Sequence, residues 1–241
     1  MKKLAALVTA ALLVAAPAHA DPLSSDLQAQ ATQAFEDLRE QVMRVLFPSR
    51  ATLTQGDAVY SPKSWEPNGR LATESLCTTG LADTTRHIAF VAAHCGFDGQ
   101  VVRNEAGQRV GTLHHLHPGF DINRTDDPVN IARDVAYIAV DPDVALVNTF
   151  SAGVLPASEL FDGREVCGIG VSTPFIHCGR IEDPAKYGLP RSASYVVTNL
   201  KSHPGDSGGP LWDLHTGQFI GTLSLGSPDT DFSAYVITPG Q

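Results

Sequence analysis

The sequence predicts an all-β fold that follows an N-terminal helical segment. From Ala51 onward, glycine and proline are frequent, and short apolar or β-branched runs alternate with turn residues. Many short strands at close spacing, with almost no helical periodicity, are typical of β-barrels or a β-sandwich. The predicted strands are Ile88–Val91, Val110–Leu113, Val135–Val140, Glu165–Val171, Tyr195–Thr198, Pro210–Trp212, Phe219–Leu223 and Ala234–Ile237, and His215-Thr216-Gly217 predicts a hairpin turn between two of them.

The first 20 residues of the 241-residue sequence have the three parts of a secretory signal peptide. Lys2 and Lys3 form a basic start, the apolar run at 4–16 is too short to span a bilayer, and Ala18-His19-Ala20 matches a cleavage site. No cysteine follows this run to carry a lipid anchor, and the sequence contains no second long apolar run. We therefore expect cleavage near Asp21 and release as a secreted, extracellular protein that does not contact a membrane.

Residues 24–47 predict an amphipathic helix. Ser25 and Gln28 form a capping-box pair at its start, and Pro48 ends the pattern. We expect residues 21–50 to be a helical pro-segment or extension ahead of a domain at 51–241. Six apolar residues recur at helical spacing, namely Leu27, Ala31, Phe35, Leu38, Val42 and Val45.

The composition is acidic. Without the signal peptide, 15 basic residues stand against 26 acidic residues, which gives a formal charge of −11. Nucleic acids and anionic membranes both attract clustered positive charge, so the composition argues against either as a partner. About 190–220 residues remain, which is enough for a large core in one or two units. We expect a monomer.

Four cysteines predict two disulfides, because an even count in an exported chain indicates a disulfide framework. Three pairings are possible. Two of the cysteines fall in each half of the domain, so we favour Cys77–Cys95 and Cys167–Cys178. The sequence has no C-x2-C spacing that would favour a metal site instead.

Three residues predict nucleophilic catalysis. A serine hydroxyl needs a base within hydrogen-bond reach, and that base needs a partner that fixes its tautomer. His94 follows an apolar strand and precedes Cys95, whereas Asp134 opens a strand that is predicted to be buried. A carboxylate at the entrance to such a strand is costly unless it is paired, and the ring N–H of His94 would pair with it.

The candidate nucleophile, Ser207, lies in the sequence Gly205-Asp206-Ser207-Gly208-Gly209-Pro210. The glycines allow a tight turn with little side-chain bulk. Such a turn directs two N–H groups, those of Gly205 and Ser207, toward one point. An oxyanion that develops at that point would be stabilised.

These segments resemble the three signatures of chymotrypsin-like serine proteases. The matching residues are Ala92-Ala93-His94-Cys95, Asp134-Val135-Ala136 and the hexapeptide at 205–210, in the chain order His, Asp, Ser. The segment Cys167-Gly168-Ile169-Gly170 resembles the bacterial streptogrisin and α-lytic branch. The resemblance covers about residues 51–238. It implies a serine endopeptidase without a cofactor, in which His94 is the base, Asp134 its orienting acid and Ser207 the nucleophile.

The resemblance also implies an architecture and a peptide-binding site. The family fold has two antiparallel six-stranded β-barrels, here about 51–145 and 146–241, with the active site in the cleft between them. Ser224-Leu225-Gly226 resembles the segment that pairs with the substrate backbone as an added strand. Lys201 and Ser202 fall where the family has its specificity pocket.

The pocket departs from the family in two ways. Many relatives have a disulfide beside the pocket, and this chain has no cysteine near His203 to form it. Tryptic relatives carry an acid at the pocket base, where this chain has Lys201. A cation there argues against cleavage after Lys or Arg. It predicts either a preference for acidic side chains or a lysine that reaches out to solvent.

The sequence does not contain the cation that binds the acid at the position of Asp206 in the bacterial relatives. Animal relatives bind this acid with a new N-terminal amine, and bacterial relatives bind it with an internal arginine at the position of Gly168 here. We therefore expect another cation. The candidates are the amine released by cleavage between Arg50 and Ala51, which would make the chain a zymogen, and the side chains of Arg164 and Arg180.

Two other functions stay open on the sequence. The first is a protease-like binding or adhesion protein that has lost catalysis, and the second is an esterase for non-peptide substrates.

We expect no metal site. On a strand, His115 and His117 would share one face and His114 would lie on the other. The acidic loop after Asp121 lacks the glycine and terminal glutamate of an EF-hand.

Overall fold

The computed structural model describes residues 51–65, 71–121, 123–124, 127–149 and 153–237. The predicted signal peptide, the predicted helix at 24–47 and the Arg50 side of the expected cleavage point lie outside the described residues. No helix within the described ranges is long and apolar enough to cross a membrane.

The first half of the domain forms a seven-stranded antiparallel sheet. Its strand order is β3-β2-β6-β7-β8-β5-β4, and a short parallel pair, β1 with β9, lies apart from it. A four-residue helix, α1, precedes β8, and the Asp127 side chain caps it by accepting from the Val129 N–H. The elements are β1 Thr52–Thr54, β2 Ala58–Trp65, β3 Leu71–Thr78, β4 Ala82–Asp83, β5 Ile88–Val91, β6 Val101–Asn104, β7 Arg109–His115, α1 Pro128–Ile131, β8 Ala136–Val140 and β9 Ala145–Val147.

The second half forms a closed six-stranded antiparallel barrel. Its strand order is β10-β11-β12-β15-β14-β13, and β13 closes the barrel by pairing with β10. The strands are β10 Glu165–Gly168, β11 His177–Glu182, β12 Tyr195–Thr198, β13 Pro210–Asp213, β14 Phe219–Ser227 and β15 Phe232–Ile237.

Each sheet packs around its own apolar core, and a third cluster joins the two. Alternation along β8 buries Ala136, Ile138 and Val140, as expected for a strand with one face on a core. The joining cluster brings Leu81, Phe90 and Val135 from the first half against Phe219 and Val236 from the second half. Since Val135 follows Asp134 directly, this contact fixes the start of β8 beside the barrel.

The predicted fold class is confirmed, and so is the hairpin turn at 215–217, where Gly217 has a φ of 69°. The first sheet differs in detail from a six-stranded barrel, because it has seven strands and its pairing does not close within the described ranges. The predicted strand at 165–171 ends at Gly168, since the chain then turns at 170–173. Strands β2, β3 and β11 were not predicted, because polar residues interrupt their apolar pattern.

Candidate active site

His94 lies in a single 3-10 turn, Ala93–Cys95, that follows β5. Ala92 and Ala93 are fully buried, and Cys95 forms a disulfide with Cys77 on β3. The backbone on both sides of the imidazole is therefore held by packing and by a covalent link. This disulfide and the Cys167–Cys178 disulfide, which joins directly paired residues of β10 and β11, are the pairs that the sequence favoured.

Asp134 lies immediately before β8, and its side chain is only 1% exposed. One carboxylate oxygen accepts from the His94 backbone N–H at 2.9 Å, and the other accepts from His94 Nδ1 at 2.7 Å. A carboxylate acceptor at Nδ1 requires the ring proton there. The neutral imidazole therefore keeps Nε2 unprotonated, and Nε2 is able to accept a proton.

Ser224 donates a third hydrogen bond to Asp134, from its Oγ at 2.6 Å. The strand pairing of β14 with β15 shifts register between Leu223 and Leu225, so Ser224 occupies a β-bulge. A bulge re-aims a side chain that regular alternation would point elsewhere. The bond joins the barrel to the first sheet and satisfies the buried carboxylate with three donors.

The backbone of Ser207 lies against the segment that carries His94. The Ser207 carbonyl accepts from the Thr78 N–H at 2.7 Å, and Gly208 has a φ of 89°. A Cβ on Gly208 would lie 2.3 Å from the Thr78 carbonyl oxygen and 3.1 Å from the Ala92 nitrogen, so only glycine permits this approach. The structure thus brings Asp134 to His94 by direct hydrogen bonds, whereas no hydrogen bond joins the described side chains of His94 and Ser207.

The backbone amides of Gly205 and Ser207 are the predicted oxyanion donors. Gly205 has a φ of 105°, in the left-handed region that favours glycine. Its neighbours are bonded internally: Asp206 N–H donates to the His203 carbonyl, and Gly209 N–H donates to the Asp206 carbonyl. Within the described ranges, neither the Gly205 N–H nor the Ser207 N–H has a protein acceptor, which leaves both free to bind an anion.

Comparison with solved structures identifies the fold. The chain resembles the Nocardiopsis protease NAPase (TM-score 0.51, 20% identity), with 78% of this chain and 92% of that chain covered. It also resembles protease A of Thermobifida fusca (TM-score 0.50, 20% identity), again with 78% of this chain and 92% of that chain covered. A glutamic acid specific serine protease that uses a histidine triad in substrate binding matches with a TM-score of 0.51 and 16% identity, over 77% of this chain and 92% of that chain. The chain has the chymotrypsin-like fold.

Sequence relatives add no activity to this fold assignment. The uncharacterised proteins Rv1815 and MT1863, from two strains of Mycobacterium tuberculosis, are each 29% identical to the chain over 141 residues. The match covers 57% of this chain and 61% of each relative, so the chain spans less than two thirds of their length. No family model matches the sequence.

In this chymotrypsin-like fold, Asp206 has no lysine, arginine or histidine side chain as a partner within the described ranges, and the amine that cleavage after Arg50 would release stays a prediction. Its carboxylate accepts instead from the Ser172, Thr173 and His203 N–H groups and from Thr173 Oγ1, at 2.6 to 3.0 Å. The two candidate arginines were wrong, because each binds a different acid. Arg164 pairs with Asp213 at 2.6 Å and Arg180 with Glu165 at 3.6 Å.

Lys201 reaches solvent. Its side chain is exposed, and its Nζ lies 3.4 Å from Asp231. A long aliphatic chain with a charged end gains hydration by extending to solvent, and this is the second of the two alternatives that the sequence left open.

The remaining predicted pocket residues pack tightly together. Ser202 is buried and its Oγ lies 3.1 Å from Ser233 Oγ. A Cβ on Gly226 would lie 1.8 Å from Ser202 Oγ, so the serine hydroxyl fills the space beside that glycine. Residues 225–227 of β14 pair with β15 on one side only, because pairing with β13 ends at Thr222. Ser224, Leu225 and Gly226 therefore leave one backbone edge without a described strand partner.

The structure also reveals site residues that the sequence analysis missed. Thr78, Ser172, Thr173 and Ser233 all contact the predicted site residues, yet each lies in a segment with no motif. Within the described ranges, the one group of potential metal ligands is Cys77, His94 and Cys95. Its two sulfurs are bonded to each other, so they are not available as thiolate ligands.

Proposed function

We propose that the chain is a secreted serine endopeptidase that hydrolyses peptide bonds through an acyl-enzyme. The observation that carries the proposal is the Asp134–His94 hydrogen bond, which leaves Nε2 as a base beside the Ser207 turn. The absence of a His94–Ser207 hydrogen bond does not oppose it, because such bonds are often long in unliganded enzymes and tighten with substrate.

The proposed reaction has two halves. Ser207 Oγ attacks the substrate carbonyl carbon while its proton passes to His94 Nε2, and the N–H groups of Gly205 and Ser207 bind the resulting oxyanion. The C–N bond then breaks, and the leaving amine takes the proton from His94. Water repeats the sequence: it gives a proton to His94, attacks the acyl-enzyme, and Ser207 leaves with that proton. Asp134 stabilises the imidazolium in both halves.

The free edge at Ser224, Leu225 and Gly226 supports extended peptides as substrates. An added strand gains main-chain hydrogen bonds at such an edge whatever its side chains are. The residue before the scissile bond would point toward Ser202 and Ser233, which already occupy much of the space. We expect small side chains at that position, and the exposed Lys201 gives no support to an acidic preference.

Export of the chain follows from two independent features. The predicted signal peptide directs it out of the cytoplasm, and disulfides such as the two present here persist in oxidising compartments. The expected partners are therefore extracellular peptides or proteins.

A catalytically inactive binding or adhesion protein is the second candidate function. The free edge of β14 favours it, because this edge would bind an extended peptide whether or not Ser207 reacts. Under this alternative the edge of β14 would still bind peptides, but Ser207 would not react.

Covalent labelling separates the two functions. A fluorophosphonate should label the wild-type chain, and Ser207→Ala should abolish the label while the circular dichroism stays unchanged. His94→Ala should slow labelling strongly, because the base is gone. A folded wild-type chain that resists the reagent would establish the binding protein instead. Comparing hydrolysis of a peptide amide with that of a simple ester tests the esterase alternative.

A further inference from the structure

Two residues of the segment Gly170–Thr173, which we call the brace, are hydrogen bonded to the turn before Ser207. Ser172 and Thr173 reach that turn from 34 and 33 residues away in the sequence. The brace also closes on itself through two Gly170–Thr173 backbone hydrogen bonds. A Cβ on Gly170 would lie 2.2 Å from Asp206 Oδ1, so a glycine at this position lets the carboxylate enter the brace.

The brace compensates the charge of Asp206. The residue is 2% exposed, and a buried carboxylate is strongly destabilising unless hydrogen bonds satisfy it. Oδ1 accepts from the Ser172 and Thr173 N–H groups, and Oδ2 accepts from Thr173 Oγ1 and the His203 N–H. All four donors are neutral. No described lysine, arginine or histidine side chain lies within ion-pair distance of this carboxylate.

The negative charge of Asp206 acts on a buried neighbour, the phenol of Tyr235. Tyr235 is almost fully buried, and burial raises the pKa of its phenol. The nearby negative charge of Asp206 raises that pKa further. The carboxylate of Asp206 takes three of its four hydrogen bonds from the brace.

The brace also sets the direction of the Gly205 N–H. In a trans peptide the C=O and N–H point in opposite directions, and the Pro204 carbonyl shares its peptide plane with the Gly205 N–H. Ser172 Oγ donates to that carbonyl at 2.7 Å, so it holds the plane in place. Thr78 Oγ1 fixes the next plane by donating to the Gly205 carbonyl at 2.8 Å, and it accepts in turn from the Val171 N–H.

The Ser207 N–H is fixed in the same manner. Its plane contains the Asp206 carbonyl, which accepts from the Gly209 N–H at 2.9 Å. Both anion-binding amides thus point to the side of the turn opposite their bonded carbonyls. Ser172 of the brace thus orients the Gly205 N–H, whereas a backbone hydrogen bond within the turn orients the Ser207 N–H, and no described cation takes part in either.

We propose that Ser172 and Thr173 are positioning residues for the oxyanion site, and that they replace the cation that would otherwise hold Asp206. Ser172 orients the Gly205 N–H, and Thr173 holds the Asp206 carboxylate. The oxyanion site therefore forms without a new N-terminal amine. This inference rests on the proposed peptidase function.

The test compares Ser172→Ala, Thr173→Val and Thr173→Ser with the wild-type chain in peptide-amide hydrolysis and fluorophosphonate labelling. Loss of one oxyanion donor lowers kcat by about 10²–10³-fold. We expect kcat to fall toward that range in Ser172→Ala and Thr173→Val with KM nearly unchanged, and Thr173→Ser to restore it. Ser158→Ala, an exposed serine on a distant turn, is the matched control and should behave as the wild type.

A separate variant tests whether the oxyanion site needs a new N-terminal amine. Arg50→Gln removes the candidate cleavage point, and we expect this chain to keep full activity. The inference is overturned if the wild type is active while Ser172→Ala keeps its kcat, or if Arg50→Gln abolishes activity. If Thr173→Val does not fold, Ser172→Ala still decides the matter. A wild-type chain without labelling or hydrolysis overturns the proposed function and, with it, this inference.

Discussion

The Arg164–Asp213 ion pair offers a stability test that does not depend on the proposed chemistry. Asp213 is completely buried, and Arg164 Nε donates to its Oδ2 at 2.6 Å. The other oxygen accepts from the N–H groups of His215 and Thr216 in the hairpin turn. Burial by itself would raise the pKa of Asp213, but the hydrogen bonds from Arg164 and Thr216 outweigh it and hold the pKa below its ordinary value.

Replacing Arg164 with methionine keeps the aliphatic stem and leaves the buried carboxylate without its cation. Breaking a buried ion pair from one side costs about 3–5 kcal/mol. Because two amide donors remain on Asp213, we expect a loss at the lower end, about 3 kcal/mol in the free energy of unfolding. For a domain of this size that loss lowers Tm by roughly 6–12 °C.

Urea unfolding at neutral pH, with the disulfides intact, measures this loss as a lower midpoint at an unchanged m value. The folded-state pKa of Asp213 is depressed (lowered below its ordinary value). The ionised carboxylate therefore makes its full contribution to the free energy of unfolding above the ordinary carboxyl pKa of about 3.9. That contribution is lost as the pH falls through the lower folded-state pKa. The difference between wild type and Arg164→Met should therefore shrink in acid. Equal stability at neutral pH, or a difference that grows in acid, would refute the reasoning. Asp213→Asn combined with Arg164→Met should cost less than the two single changes together, because no unpaired buried charge remains.

Three further predictions concern the site and its support. Ser224→Ala removes one of the three donors to Asp134, and loss of a hydrogen bond to a charged group, about 1.5–3 kcal/mol, should lower kcat by at least roughly tenfold in steady-state assays. Ser202→Gly opens the space that its hydroxyl fills, so cleavage after leucine should rise relative to cleavage after alanine in a peptide library, and an unchanged ratio would contradict the pocket assignment. Changing Cys167 and Cys178 together to serine should lower the free energy of unfolding by about 2–4 kcal/mol, measured by thermal unfolding.

Strands that bury both faces or alternate cleanly were predictable from the sequence. Ile88–Val91 and Tyr195–Thr198 match their predicted bounds, because β-branched and aromatic side chains dominate both. Strand β11 was not predicted, since His177–Glu182 alternates half-buried and exposed residues, and Ile181 is the one buried apolar residue in it. Its pairing with β10 and β12 holds it in the barrel, and such long-range pairing leaves no local pattern.

Part of the candidate site was equally predictable. Asp134 was expected to pair with His94 because an acid at the entrance to a buried strand requires a donor, and the structure contains that bond. The two arginine partners predicted for Asp206 were wrong, because charge alone was considered. Neutral amides and one hydroxyl donate to the carboxylate of Asp206 instead. Neither Ser172 nor Thr173 belongs to a sequence motif that would predict this contact.

The Ser224–Asp134 hydrogen bond has a consequence for how activity would be lost on heating. His94 and Asp134 belong to the open sheet, whereas Ser207 and Ser224 belong to the closed barrel, and each half has its own core. The proposed reacting groups would therefore be assembled only while the two halves stay in register. A shift of about one ångström between the halves is enough to cost roughly 100-fold in rate while every strand is still intact. Turnover should report on the alignment of the halves earlier than any spectroscopic measure of β-structure does.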